Sequence, residues 1–289
     1  MTRHPLVLLT LVGLPLLAQE KPKEPEGISD NSFLIEEAYN QEKGVVQHIF
    51  NWQRFQTDRS WVGTFTQEWP MGSQTHQFSY TLPYLRDPLT GNGLGDVLLN
   101  YRYQMSGGDD KEVSFSPRLS LVLPTGDSNK GRGTGALGVQ VNLPLSVPLA
   151  DTVFTHWNLG ATVVPKAKNP LGEKADTLGT NVGASLIWRP HPEFNLMLEA
   201  IHTTQEVVTG TGLKTREKAT YLNPGLRWAH NLPSGLQIVP GLLQGRQRHL
   251  PLHQLRAPLR KELSPWPGRF APSSSDWASG PSSPSGASR

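Results

Sequence analysis

Between Gly44 and Leu242 the chain writes one pattern eleven times: about ten residues of alternating apolar and polar character, then a turn. In Gln77–Tyr84 the apolar set is Phe78, Tyr80, Leu82 and Tyr84, with Gln77, Ser79 and Thr81 on the other parity. Ala136–Val147 sets Leu137, Val139, Val141, Leu143, Leu145 and Val147 against Gly138, Gln140, Asn142 and Ser146. A period of two predicts extended strands with two unlike faces. The other candidates are Val45–Phe55, Trp61–Trp69, Gly95–Met105, Val113–Leu123, Thr152–Val164, Thr177–Arg189, Phe194–Thr204, Ala219–Ala229 and Leu236–Leu242. Most have the length of a tilted membrane-crossing strand, about nine residues or more, where strands of a soluble sandwich run to about five or six. The fold class expected is all-β, an antiparallel transmembrane β-barrel of about 12 strands, 11 of them readable.

Beyond the first residues no run of eighteen apolar side chains occurs, so helical membrane spans are not expected. The N-terminus reads as an export signal. Arg3 and His4 give a basic start, Leu6–Leu17 an apolar core of twelve residues, and Ala18 a small residue at the cut. Twelve residues of helix reach only about 18 Å, short of a hydrocarbon core of about 30 Å, which favours cleavage over anchoring. The division expected is a signal at 1–18, a periplasmic lead segment at 19–43, a barrel at 44–243 and an irregular tail at 244–289. The chain has no cysteine.

Connection lengths give an orientation. Long loops at Pro124–Gly135, Pro165–Asp176 and Gln205–Lys218 alternate with tight turns at Pro148–Asp151, Pro190–Glu193 and His230–Gly235. Outer-membrane barrels keep short turns on the periplasmic side and long loops outside, which places the mature N-terminus in the periplasm. Trp52, Trp61, Trp69, Tyr84, Tyr103, Trp188 and Trp228 fall near strand ends, where aromatic girdles belong. Pro117, Pro144 and Pro224 weaken three strand registers, because proline donates nothing to a ladder.

Bacterial single-chain barrels have an even strand count, so a twelfth strand is expected after Leu243. The composition changes there instead. Gly245–Arg289 holds seven prolines, nine serines and no alternation. Its seven Lys and Arg against two Asp and Glu give +5, leaving −2 for the rest of a +3 chain. Two readings fit this tail: a basic extension, of the kind that binds nucleic acid or anionic lipid, or an altered reading frame that replaced the closing strand. Proline spacing and the lack of an aromatic terminal residue favour the second.

Gly133–Gly138 matches GxGxxG but leads into a strand, so it offers no helix N-terminus to a pyrophosphate. Gly126–Gly131 opens like a phosphate loop, yet Arg132 and Gly133 stand where Lys and Ser/Thr belong. Asp127 and Asn129 lack the distal glutamate of a calcium loop. Neither GxSxG nor HExxH occurs. No catalytic residue, cofactor or metal site is expected. The segment from His156 to Asn158 sets a histidine and an asparagine on one strand face, where lumen lining is the favoured role.

With the apolar parity toward lipid, the lumen-lining candidates are Asn100, Arg102, Arg118, Gln140, Asn142, His156, Asn158, Asn181, Arg189, Glu199, Asn223 and Arg227. Polar groups so placed need water or one another, which implies a hydrated or salt-bridged interior. Twelve strands tilted near 40° give a barrel roughly 20 Å wide between backbones. Loops or the lead segment Gln19–Lys43 are the parts available to plug it. The arginines suit anionic solutes, unless carboxylates such as Glu199 pair with them.

The stretch Asn31–Gly44 (NSFLIEEAYNQEKG), the VVQHIFNW that follows, the Gly93-Leu-Gly-Asp96 step and Leu121-Val-Leu-Pro-Thr-Gly-Asp127 resemble bacterial outer-membrane barrels grouped as the "MetA-pathway of phenol degradation" family, over about Ser32–Leu242. The resemblance implies a transporter-like barrel in the outer membrane for passive or facilitated passage of small organic, including aromatic, molecules. The partners expected are outer-membrane lipid, a small organic solute and the barrel-assembly machinery, with no nucleic acid. The alternatives are a structural or adhesive barrel without transport and, behind it, an outer-membrane hydrolase dependent on His156.

Overall fold

The computed structural model describes residues 32–55, 59–87 and 90–228, and beyond them the backbone of four short segments, the last at Arg246–Arg248. The export signal at 1–18, the lead segment before Ser32 and the tail from 249 onward lie outside the described residues.

The described chain is all-β and antiparallel. Its strands are β1 (Gln47–Arg54), β2 (Trp61–Met71), β3 (Ser73–Asp87), β4 (Gly91–Leu94), β5 (Val97–Tyr103), β6 (Ser114–Phe115), β7 (Arg118–Leu123), β8 (Gly138–Asn142), β9 (Leu145–Ala150), β10 (Val153–Lys168), β11 (Lys174–His191), β12 (Phe194–Gly210), β13 (Leu213–Trp228), β14 (His230–Asn231), β15 (Gln237–Ile238), β16 (Gly241–Leu243) and β17 (Arg246–Arg248). One sheet runs β1-β2-β3-β5-β7-β8-β10-β11-β12-β13-β16, eleven positions in chain order, and each of the eleven sequence segments supplies one. Among the described residues no ladder joins β1 to β16. The final ladder runs further than the barrel boundary at 243, since Arg246–Arg248 pairs with β13 at Leu222–Thr220.

Two of the three suspect prolines do interrupt strands. Pro117 separates β6 from β7 and Pro144 separates β8 from β9, at the same level of neighbouring strands, with the Ser116 N–H donating to the Pro144 carbonyl at 3.3 Å. Pro224 stays inside β13, in register with Leu198.

The sequence predicts long loops at Pro165–Asp176 and Gln205–Lys218, and there the structure differs. β10 and β11 continue to a turn at 169–173, and β12 and β13 to a two-residue turn whose Gly212 takes φ +72°. These arms carry lysine, glutamate and threonine on both parities, so the alternation that marks a strand with one apolar face stops while the ladder goes on. The connection 124–137 is a true loop with a short 3-10 turn at Ser128–Lys130. At the other end three connections are tight, Gly72 between β2 and β3, Asp151–Thr152 between β9 and β10, and Pro192–Glu193 between β11 and β12, while residues 104–113 between β5 and β6 make a longer one.

The faces of the wall are inverted relative to a water-soluble protein. Along β10, His156 and Asn158 are 0% and 2% exposed, while their neighbours Trp157 and Leu159 are 51% and 57% exposed. The rule extends across the sheet. Leu119, Leu121, Val139, Val141, Val182, Leu186, Leu198 and Leu222 are all exposed, and Gln77, Ser120, Asn142, Ser185 and Asn223 are buried. Water-soluble monomers rarely expose contiguous apolar patches beyond a few hundred Å². Aromatic residues gather toward both rims of this outer face. Trp52 stacks on Trp61 at 4.4 Å with Tyr84 beyond it, and Trp69 meets Phe78 at 5.1 Å nearer the tight turns, the end where Trp188 and Trp228 also lie.

Candidate functional site: a lumen filled by the lead segment

The inner face is covered by the chain itself. Residues 32–41 cross the interior and bond to eight successive strand positions, from β3 round to β13, so the sheet wraps around them. At one end Arg227 Nη2 on β13 donates to the Ser32 carbonyl at 3.1 Å, and Ser32 Oγ donates to Ser185 Oγ on β11 at 2.7 Å. On β12, Glu199 Oε1 accepts the N–H groups of Phe33, Leu34 and Ile35 at 2.8, 2.9 and 3.4 Å. Further along, the Glu36 N–H donates to Asn158 Oδ1 and Asn158 Nδ2 donates to the Glu36 carbonyl, both at 2.8 Å. The Ala38 N–H donates to Ser146 Oγ at 2.8 Å, and the Asn40 N–H to Gln104 Oε1 at 2.8 Å. At the far side Asn40 Nδ2 reaches the Gln74 carbonyl of β3, and the Gln41 N–H donates to Gln77 Oε1.

An irregular backbone inside a barrel needs a partner for each buried polar group. Here inward Asn, Gln, Glu and Ser side chains take the place of a ladder. Apolar side chains of the segment fit dents in the wall. Phe33 and Ile35 pack with Ile187, Met197, Ile201 and Tyr221. Gly183 and Gly225 make the room: a Cβ at Gly183 would lie 2.5 Å from Ile35 Cδ1, and one at Gly225 would lie 3.0 Å from the Phe33 ring.

The twelve lumen-lining candidates all stand on the inner parity. Asn100, Arg102, Arg118, Gln140, Asn142, His156, Asn158, Asn181, Glu199, Asn223 and Arg227 are buried, and Arg189 is half-buried near the tight-turn rim, with its guanidinium 3.0 Å from Asp110 and 4.5 Å from the Phe154 ring centre. Lead-segment atoms bond directly to Arg102, Arg118, Asn158, Glu199 and Arg227. Asn100, Gln140 and Asn142 form the surrounding network: Arg118 Nη1 donates to Asn100 Oδ1 at 3.0 Å, Arg118 Nη2 to Gln140 Oε1 at 3.1 Å, and Asn142 Nδ2 to Asn158 Oδ1 at 3.3 Å. Asn181 and Asn223 join this face without a side-chain bond to the segment.

Sequence reasoning missed Gln104, Ser146, Ser185, Gln77 and the two glycines. Their shared signal is parity, since each lies on the polar row of a strand or, for Gln104, one step past its end. Ser146 Oγ also shares a 2.7 Å hydrogen bond with His156 Nδ1. This serine–histidine contact is wholly buried, with the Oγ engaged by the Ala38 N–H and the nearby Asn158 held by the Glu36 backbone.

At the loop rim the stretch that partly matched phosphate and calcium motifs is a structural platform. Asp96, at the step between β4 and β5, accepts from the Gly126 N–H at 3.0 Å, the Thr134 N–H at 2.6 Å and Thr134 Oγ1 at 2.8 Å. Burial pushes its carboxyl above the usual range, against the pull of those three bonds. Arg132 Nη1 donates to the Asn92 carbonyl at 2.7 Å, and its Nη2 lies 3.4 Å from Asp127.

These features define an antiparallel, barrel-like all-β protein with an apolar exterior and a polar interior. No protein-family model matches the chain, and no curated protein matches it.

Proposed function

We propose that this chain is an outer-membrane barrel for passive or facilitated passage of small organic molecules, closed at rest by its own lead segment. The observation that carries the membrane reading is the inverted wall: Trp157 and Leu159 outward and exposed, His156 and Asn158 inward and buried. Hydrocarbon is the solvent in which that arrangement is favourable, and strands bonded to their neighbours satisfy the backbone there. Aromatic rims agree with it, as do the hairpin arms of β10 to β13 that run past the apolar belt at one end. The solute class rests on the family resemblance at Asn31–Gly44 and Leu121–Asp127, and on the polar character of the inner wall.

The filled lumen favours a second reading, a structural or adhesive barrel that passes nothing. Two measurements separate them. In fractionated cells the protein should be in the outer membrane and migrate differently on a gel with and without boiling, because such barrels keep their fold in cold detergent. Proteoliposomes carrying it should then swell in small organic solutes, and more so when the lead segment is loosened. A heat shift without flux for any solute in either form would leave the structural reading. Among the described residues the serine–histidine contact at Ser146 is the feature that points toward hydrolysis, and purified protein without lipase or esterase activity would remove that reading.

A further inference from the structure

Two arginines face each other across one ladder of the inner wall. Arg102 on β5 and Arg118 on β7 are direct register partners, and both are buried. Like charges directly opposite in an antiparallel pair repel, and shielding from water strengthens the repulsion. The wall nevertheless fixes one of them: Arg118 donates from Nη1 to Asn100 Oδ1 at 3.0 Å and Ser120 Oγ at 3.1 Å, and from Nη2 to Gln140 Oε1 at 3.1 Å. Those partners are neutral, so they hold the guanidinium without cancelling its charge. Arg102 is bonded to the lead segment, from Nη1 to the Tyr39 carbonyl at 3.1 Å and from Nη2 to Glu36.

Glu36 reconciles the pair. Its Oε1 lies 2.6 Å from Arg118 Nη2 and its Oε2 lies 3.2 Å from Arg102 Nη2, so each oxygen takes a different guanidinium. Arg102 Nε and Arg118 Nε remain buried without a hydrogen-bond partner, so both forks retain donor capacity toward an anion. Two wall groups that repel unless a carboxylate lies between them describe a carboxylate site.

We propose that Arg102 and Arg118 form a binding site for a small organic carboxylate, and that Glu36 is its built-in occupant, which an external carboxylate displaces. The proposal rests on the passage reading for one point, that solute reaches the lumen. Glu68 on β2, held by Gln77 Nε2 at 3.1 Å, and Glu37 on the lead segment also act on Arg102. When the segment leaves, Glu36 and Glu37 leave together, and Glu68 offsets one of the two arginine charges. The emptied wall therefore keeps net attraction for one carboxylate.

The test uses the full chain in detergent micelles, with benzoate as the probe and benzamide as its uncharged near-isostere, followed by calorimetry. E36Q removes the internal competitor and is expected to bind benzoate at least about tenfold more tightly than wild type. Benzamide should show no such gain, and R118Q added to E36Q should abolish it. Glu36→Asp, which retracts the carboxylate by one methylene, should fall between wild type and E36Q and guards against a folding defect in the glutamine variant. Equal benzoate affinity in wild type and both Glu36 variants, or an equal gain for benzamide, overturns the site. Benzoate binding without flux in proteoliposomes keeps the site and removes passage, whereas flux of neutral solutes with no benzoate binding does the reverse.

Discussion

Leu159 lies near the middle of the outward apolar belt, in register with Val182 across the β10–β11 ladder. On β11 the belt extends from Leu178 to Trp188, ten residues apart, which is about 33 Å along a strand and about 25 Å across a layer at a tilt near 40°. That height matches the apolar band of an outer-membrane barrel, and Leu159 falls near its midplane. Leu159→Arg should therefore destabilise the protein by about 2–4 kcal/mol, the range for a basic side chain on the lipid face at the bilayer centre. The assay is reversible denaturant unfolding in phospholipid bilayers, followed by the fluorescence of the eight tryptophans. Thr215→Arg on the hairpin arm of β13, also exposed, is the control and should change stability by no more than about 0.5 kcal/mol. If Leu159→Arg costs as little as the control, an exposed leucine here is an ordinary surface residue of a water-soluble protein, and the argument from the inverted wall fails.

Other expectations follow from the filled lumen and the loop platform. Glu199→Leu strips the acceptor from three lead-segment N–H groups, each worth about 1–3 kcal/mol when left unpaired, so protease should nick residues 32–43 and solute flux should rise; a segment as protected as in wild type would contradict its anchoring there. Gly183→Ala places a methyl against Ile35 and the Ala200 carbonyl, and should loosen the same segment by the same protease readout while the heat-dependent gel shift persists. Asp96→Ala removes three hydrogen bonds at the loop rim and should speed proteolysis of 124–137 at an overall cost of about 1–3 kcal/mol, with residues 32–43 unaffected. Cleavage confined to the lead segment would put Asp96 in the wrong role.

Much of the wall was legible because its determinant is local. A strand with an apolar outer face and polar partners on the other must alternate, so Gln77–Tyr84 and Ala136–Val147 declared their faces, and the parity that put His156 and Asn158 inward is the one observed. Alternation failed where the physical reason for it ended. The arms beyond Val164 and Thr204 carry polar residues on both faces, and they read as loops although the ladder continues through them. The lead segment was harder still. Residues 32–41 have no period, because their backbone partners are side chains from six strand positions far away in sequence. Only the unusual stock of inward Asn, Gln, Ser and Glu hinted that something polar had to be satisfied inside. Gly183 and Gly225 read as ordinary strand glycines, and their use appears only when Ile35 and Phe33 are seen against them. The register that sets Arg102 opposite Arg118 is a long-range pairing that strand pattern alone does not fix.

The most direct test of the inverted wall uses the absence of cysteine from the chain, which lets single cysteines be introduced one at a time along β11 from Asn181 to Trp188 and spin-labelled in bilayers. The account predicts that labels at Val182, Ala184 and Leu186 collide freely with oxygen and hardly at all with a water-soluble nickel relaxant, while labels at Asn181, Ser185 and Ile187 are shielded from oxygen. Labels at Val182, Ala184 or Leu186 that are reached by the nickel reagent, or shielded from both relaxants, would contradict it.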